Sequence, residues 1–263
     1  MSDLALLVDD LGEEQASLDA MVAHLDDASW REMTPAAGWR VSDQIAHLAY
    51  FDDAAALAIA DPSAFAVARE ALVHAAFAEG VDDYTLHASR EMSPPEILAH
   101  WRDARHALSR AAATLEPSAR LPWYGPDMSA RSFLTARLME TWAHGVDVAD
   151  ALGVAPSDSP RLSHIVRLGY LTRDWSYRVR GETRPDVTIA VRVSDATGAT
   201  YEHGPRDADE VITGPALDFC LVVTQRRHVD DTALEVGEWG RHWMLRAQAF
   251  AGGPTTGPAP RTS

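Results

Sequence analysis

Apolar residues recur along the first half of the chain at helical spacing. Leu4, Leu11, Leu18 and Leu25, with Val8 and Val22 between their turns, form one stripe and predict a first helix. The interruption TPAAGWR follows; then Ser42 as N-cap and Asp43 in the first turn open a second helix carrying Val41, Ile45, Leu48, Ala55 or Ala56, and Ile59. A third helix is predicted through Phe65, Ala68, Leu72 and Phe77. A fourth starts at SPPEILAHWRDARHALSRAAATL, where Ser93 caps and the prolines fit the first turn. After PSARLPWYGPDMSA, read as a loop, a fifth helix runs from near Arg131 to about Gly153, a C-terminal glycine. Four or five helices with short connections predict a bundle.

Beyond about Pro156 the period changes. A helix is expected from Ser159 to about Arg178, and DVTIAVRVSD alternates through Val187, Ile189, Val191 and Val193 as a strand. TYEHG and EVITG are candidate partner strands, while PALDFCLVVTQR and GEWGRHWMLRAQAF read as helical. The expected fold is α+β: a helical bundle over 1–155, a smaller α+β domain over 156–252, and a disordered Gly, Pro and Thr-rich tail over 253–263.

Composition narrows the function. With 263 residues and 46% hydrophobic, the chain can bury a proper core, and its formal charge of -16 opposes nucleic acid and anionic lipid. The single Cys220 excludes an internal disulfide and suits a reducing compartment. The acidic start MSDLALLVDDLGEEQ lacks the order of a signal peptide, and no apolar run reaches the roughly 20 residues that span a bilayer. A soluble cytoplasmic protein is expected, with a small-molecule substrate, no nucleic acid, no membrane, and at most a second copy of itself in a homodimer.

The chemistry concentrates in METWAHGVDVADALG. Glu140 and His144 are four residues apart, so they share one helix face near the bundle interior, where a carboxylate needs a partner. His47, between Ile45 and Leu48 on the second helix, is the candidate third ligand of a divalent metal. Two histidines and a carboxylate leave open coordination, which is a catalytic pattern rather than a closed structural one. Asp43 and Asp147 are candidates to accept a ring N–H. The same residues also read as a hydrogen-bonded pair and a satisfied core histidine, and the spacing alone does not choose. In LPWYGPDMS, Trp123, Tyr124 and Met128 either wall a substrate pocket or plug the bundle, and Arg137 either neutralises Glu140 or contacts substrate. Cys220, within LDFCLVV, reads as a packed small hydrophobe.

Three segments in order carry a family resemblance. TPAAGWRVSDQIAHLAYFD resembles the signature of the DinB-like metal-binding helical bundles, and METWAHGVDVADALG resembles the E-x-x-x-H helix of the mycothiol-dependent maleylpyruvate isomerase family. GPALDFCLVVTQRRHVDDTALEVGEWGRHWMLRAQAFAG is similar to the C-terminal region of an actinobacterial branch, so the likeness spans about Leu4 to Gly252. It implies a DinB-like up-down bundle followed by a sterol-carrier-like α+β domain. It implies His47, Glu140 and His144 as ligands, with zinc as the metal and Arg226, in TQRR, facing the metal cleft. Mycothiol, the low-molecular-weight thiol of actinobacteria, is the implied thiol, and the lysine-poor composition fits a high-GC genome. The implied activity is isomerisation or S-transfer on an activated, carboxylate-bearing small molecule. The alternatives are a hydrolase or lyase using metal-bound water, or a non-catalytic carrier of an apolar ligand.

Overall fold

The computed structural model describes residues 3–78 and 80–261, and the side chains of all of these but 76–78. Phe77 of the expected third stripe lies outside the described side chains. The chain divides between Pro156 and Ser157 into two compact units.

The first unit contains α1 (Asp3–Val22), α2 (Asp27–Trp30), α3 (Val41–Ala60), α4 (Pro62–Ala78), α5 (Val81–Leu86), α6 (Pro94–Ala112) and α7 (Ala130–Leu152). Strands β1 (Arg120–Leu121) and β2 (Met128–Ser129) pair antiparallel, so part of the segment read as loop is a small hairpin. α3 begins earlier than its serine suggests. Arg40 is the N-cap, and Asp43 at the third helical position accepts the Arg40 N–H at 2.8 Å, leaving Ser42 inside the first turn. At α6 the expectation holds: Ser93 caps, and its N–H donates to Glu96 at 2.7 Å. α7 stops at Gly153, whose φ of +67° is the left-handed conformation that glycine adopts without a Cβ penalty.

α3 packs on α6 and α7, and α1 on α7, around Leu18, Val22, Ile45, Leu48, Trp101 and Val148. α7 is buried on more than one face. Phe133, Leu134, Met139, Trp142, Val146 and Ala149 are all buried, so apolar contact surrounds it on nearly every side.

Through this core runs one carboxylate. Asp52 of α3 is fully buried; its Oδ1 accepts from Arg137 Nε and Nη2 of α7 at 3.0 and 2.9 Å, and its Oδ2 from Gln15 Nε2 of α1 and Trp101 Nε1 of α6 at 3.1 and 3.2 Å. Four donors replace the water that the charge gave up. Each comes from one of the helices packed around α3, so the carboxylate fixes their relative register.

The second unit is built from α8 (Leu162–Leu171), α9 (Arg173–Arg178), β3 (Ile189–Ser194), β4 (Thr200–His203), β5 (Glu210–Pro215), α10 (Ala216–Val223) and α11 (Glu238–Met244). The sheet order is β4-β3-β5, with β4 antiparallel and β5 parallel to β3. Ile189, Val191 and Val193 are buried as their alternation predicts. The single helix expected over 159–178 breaks at Thr172, whose hydroxyl donates back to the Leu168 and Gly169 carbonyls. Gly169 lets α8 approach α10, since a Cβ there would stand 2.9 Å from Phe219 and Val223. Residues 253–261 form no helix or strand, and Thr255 Oγ1 donates to Gln225 Oε1 at 2.8 Å. Among the described residues no helix is long and apolar enough to cross a membrane.

Removing one partner of the Asp52–Arg137 pair leaves an uncompensated buried charge. Arg137→Ala is therefore expected to lower the unfolding free energy by about 3–5 kcal/mol. Arg131→Ala, which breaks an exposed pair with Asp3, is expected to cost about 1 kcal/mol or less. Urea unfolding followed by circular dichroism measures both, and equal losses would deny Asp52 its central place.

Candidate metal centre

The three residues singled out by spacing meet in space. One ligand atom from each of His47 on α3 and Glu140 and His144 on α7 lies within 4.8 Å of the others. His144 is buried, while His47 and Glu140 are half-buried.

The hydrogen-bond network assigns the tautomer of His144. Thr34 Oγ1 donates to the Trp39 carbonyl at 3.0 Å, and so accepts from Gln44 Nε2 at 2.8 Å. The Gln44 amide consequently turns its oxygen to His144 Nδ1. An amide oxygen only accepts, so Nδ1 carries a proton and Nε2 is the nitrogen turned away from Gln44. Nε2 lies 3.3 Å from Glu140 Oε2. Two electron-pair donors at this distance repel unless a proton or a cation stands between them, and the His47 imidazole, 4.5 Å from the His144 ring by centroid, adds a third donor. A set of two imidazoles and a carboxylate fits a divalent ion with coordination left over.

Charge in the site agrees with this. Burial pushes the Glu140 carboxyl up, but the hydrogen bond and charge of His144, with the charges of Arg137 and His47, outweigh it and hold it at about 2. Glu140 is therefore anionic at neutral pH, as a metal ligand must be.

Aromatic rings wall the donors. The Trp39 indole stacks on His144 with centroids 5.9 Å apart and lies 5.1 Å from His47; Phe51, one turn along α3, is 4.6 Å from His47. Trp39 Nε1 is anchored to Asp82 of α5 at 3.1 Å. The wall continues from Phe51 to Tyr124 at 5.6 Å, and Trp123 stacks on Phe65 with its edge to Phe133. The loop thus serves both readings: Trp123 packs into the bundle, and Tyr124 joins the cluster that starts at His47.

The remaining candidates have these surroundings. Arg137 does not reach for substrate, because its guanidinium is buried on Asp52. Asp43 is occupied as the cap acceptor of α3, and the group that meets the His144 ring nitrogen is Gln44. Asp147 is buried on α7. Arg226 belongs to the second unit, in the turn after α10, where its Nη1 donates to the Thr224 carbonyl at 2.7 Å. Cys220 is fully buried, and burial pushes its thiol well above the ordinary range, so it is a packing residue. Gln44 is the residue that spacing missed. The available signal was a polar amide set among Val41, Ile45 and Leu48, where burial obliges it to find partners.

Comparison with known proteins gives the family. The model of the mycothiol maleylpyruvate isomerase N-terminal domain matches residues 11–149. Two uncharacterized proteins of Mycobacterium tuberculosis, MT0041 and Rv0036c, are each 43% identical over 258 residues, covering 98% of this chain and 100% of theirs. Among solved structures, the mycothiol-dependent maleylpyruvate isomerase matches at a TM-score of 0.58 with 18% identity. A histidine-to-alanine mutant of that isomerase matches at 0.59 with 17%, and each match covers 90% of this chain and 96% of the other. At such identity the likeness is one of fold, and that fold is α+β. This chain belongs to the mycothiol maleylpyruvate isomerase N-terminal domain family.

Proposed function

We propose that the chain is a cytoplasmic, metal-dependent enzyme that uses mycothiol to isomerise, or to transfer sulfur onto, an activated small molecule bearing a carboxylate. The observation that carries this reading is His144 Nε2, turned by Gln44 onto the Glu140 carboxylate with His47 beside it. His47, Glu140 and His144 would hold the ion. A divalent cation in such a site, zinc by its donor set, favours the thiolate form of a bound thiol. Thiolate addition to an electron-poor alkene carbon, rotation and elimination amount to cis-trans isomerisation; addition with protonation and no elimination leaves a conjugate.

The chain's own residues do the positioning. Glu140 offsets part of the cation's charge, which leaves room for one anionic sulfur without building up net charge. Trp39 and Phe51 exclude water from the histidine side of the centre, so charges there act through a low dielectric. With Cys220 sealed in the core of the second unit, the nucleophilic thiol comes from outside. Arg226 is the candidate for the substrate carboxylate or a developing enolate; Trp123 and Tyr124 are candidates for the substrate wall.

Purified protein is expected to carry about one divalent ion per chain, measured by mass spectrometry, and His47→Ala and His144→Ala are expected to lose it. A wild type that neither holds nor is stabilised by any divalent ion would remove the ligand assignment. Gln44→Leu, which leaves the ligands in place but frees the tautomer, is expected to weaken metal affinity about 10–100-fold in chelator competition. Isomerisation of maleylpyruvate by the metal-loaded protein, followed by absorbance, is expected to require added mycothiol. Turnover of the same rate without the thiol would favour a metal-bound water instead.

A further inference from the structure

The second unit buries a charge that the proposed chemistry does not use. Arg173, the first residue of α9, is 8% exposed, and among the described residues its Nε and Nη2 groups reach no hydrogen-bond acceptor. Its guanidinium carbon lies 5.5 Å over the ring of Trp243. That contact attracts the charge but satisfies none of the N–H groups lying in the guanidinium plane. Buried N–H donors without acceptors are rare in folded proteins, and a charged one is the most costly kind.

The surroundings indicate what is missing. Arg173 lines a cavity of about 330 Å³ together with Arg184, Tyr170, Leu171, Ile189 and Pro205. Asp174, also at this cavity, gives its carboxylate to Arg184 Nε at 2.6 Å, so the local acid neutralises the more exposed arginine. Two guanidiniums against one carboxylate leave a single positive charge in excess. Burial, followed by the charge of Arg184, lowers the proton affinity of Arg173, as expected for a cation lacking its counterion. The walls contributed by Leu171, Ile189 and Pro205 are apolar, and the volume falls at the small end of organic-ligand sites.

We propose that this cavity binds a small organic acid, its carboxylate received by Arg173 with support from Arg184 and its apolar body resting on Leu171, Ile189 and Pro205. One negative charge balances the excess. The planar fork of the arginine matches a carboxylate, and the aliphatic walls favour an acid with a hydrocarbon body over a bare inorganic anion. The site is built within the second unit alone and stands whether or not the metal reading holds.

The test is calorimetric titration of the full-length protein with hexanoate and benzoate, with acetate, inorganic phosphate and chloride at matched ionic strength for comparison. Saturable binding of hexanoate or benzoate is expected, with acetate weaker. Arg173→Met is expected to weaken it at least tenfold, and Arg184→Gln severalfold; the second variant, on a more exposed side chain, serves where the first fails to fold. His144→Ala is expected to keep the wild-type affinity. Absence of saturable binding, equal affinity in both arginine variants, or a response to phosphate alone would overturn the proposal. Loss of binding in His144→Ala would do so as well, by moving the acid to the metal centre.

Discussion

The first unit depends on how a single buried carboxylate is satisfied. Asp52 is fully buried, and burial pushes its carboxyl above the usual range while Arg137, Trp101 and Gln15, all pointing at it, oppose that shift. Apolar packing alone tolerates small slips between helices, whereas this network does not. Its effect on the site is direct. Gln44 and Asp52 are roughly two turns apart on α3, as are Arg137 and His144 on α7. The contacts Asp52 to Arg137 and Gln44 to His144 therefore tie two antiparallel helices at two levels. His47 lies between those levels on α3, and Glu140 lies between them on α7. A set of donors within 4.8 Å is what such a double tie leaves in the middle.

A second constraint acts on one atom. The segment from Thr34 to Trp39 is closed by the Thr34 N–H on the Trp39 carbonyl at 2.8 Å and by a bridge between Met33 and Arg40. This turn places three things at once: the Thr34 hydroxyl that orients Gln44, the carbonyl that orients Thr34, and the indole that stacks on His144. The proton on His144 is thus set by a turn more than one hundred residues away in sequence. The ring nitrogen that results faces Glu140, where a proton or a cation can stand, which connects the local geometry to the proposed chemistry.

Much of this was legible in the sequence, for reasons that differ by residue. Glu140 and His144 could be paired because helical spacing is a local rule, and His47 because its helix has a readable apolar face. The capping signals of α6 and α7 are local too, and both held. Ser42 misled because a serine is a good cap, yet Asp43 at the third helical position captures the N–H of Arg40 first. Arg137 does lower Glu140 through its charge, as their spacing suggests, but its hydrogen-bonded partner Asp52 sits 85 positions away, and no local pattern encodes that choice. Gln44 carries no charge and belongs to no motif; only its burial gives it away. The break at Thr172 and the hairpin at Arg120–Leu121 rest on single side-chain or backbone bonds that periodicity averages over.

In the proposed centre Gln44 and Asp52 together hold two imidazoles and one carboxylate around an ion with room for an external thiol. X-ray absorption at the zinc edge, on zinc-loaded protein before and after mycothiol is added, tests it most directly. Nitrogen and oxygen alone are expected around the zinc at first, with one sulfur entering at about 2.3 Å once the thiol is present. A shell that already contains sulfur, or one that mycothiol leaves unchanged, would contradict it.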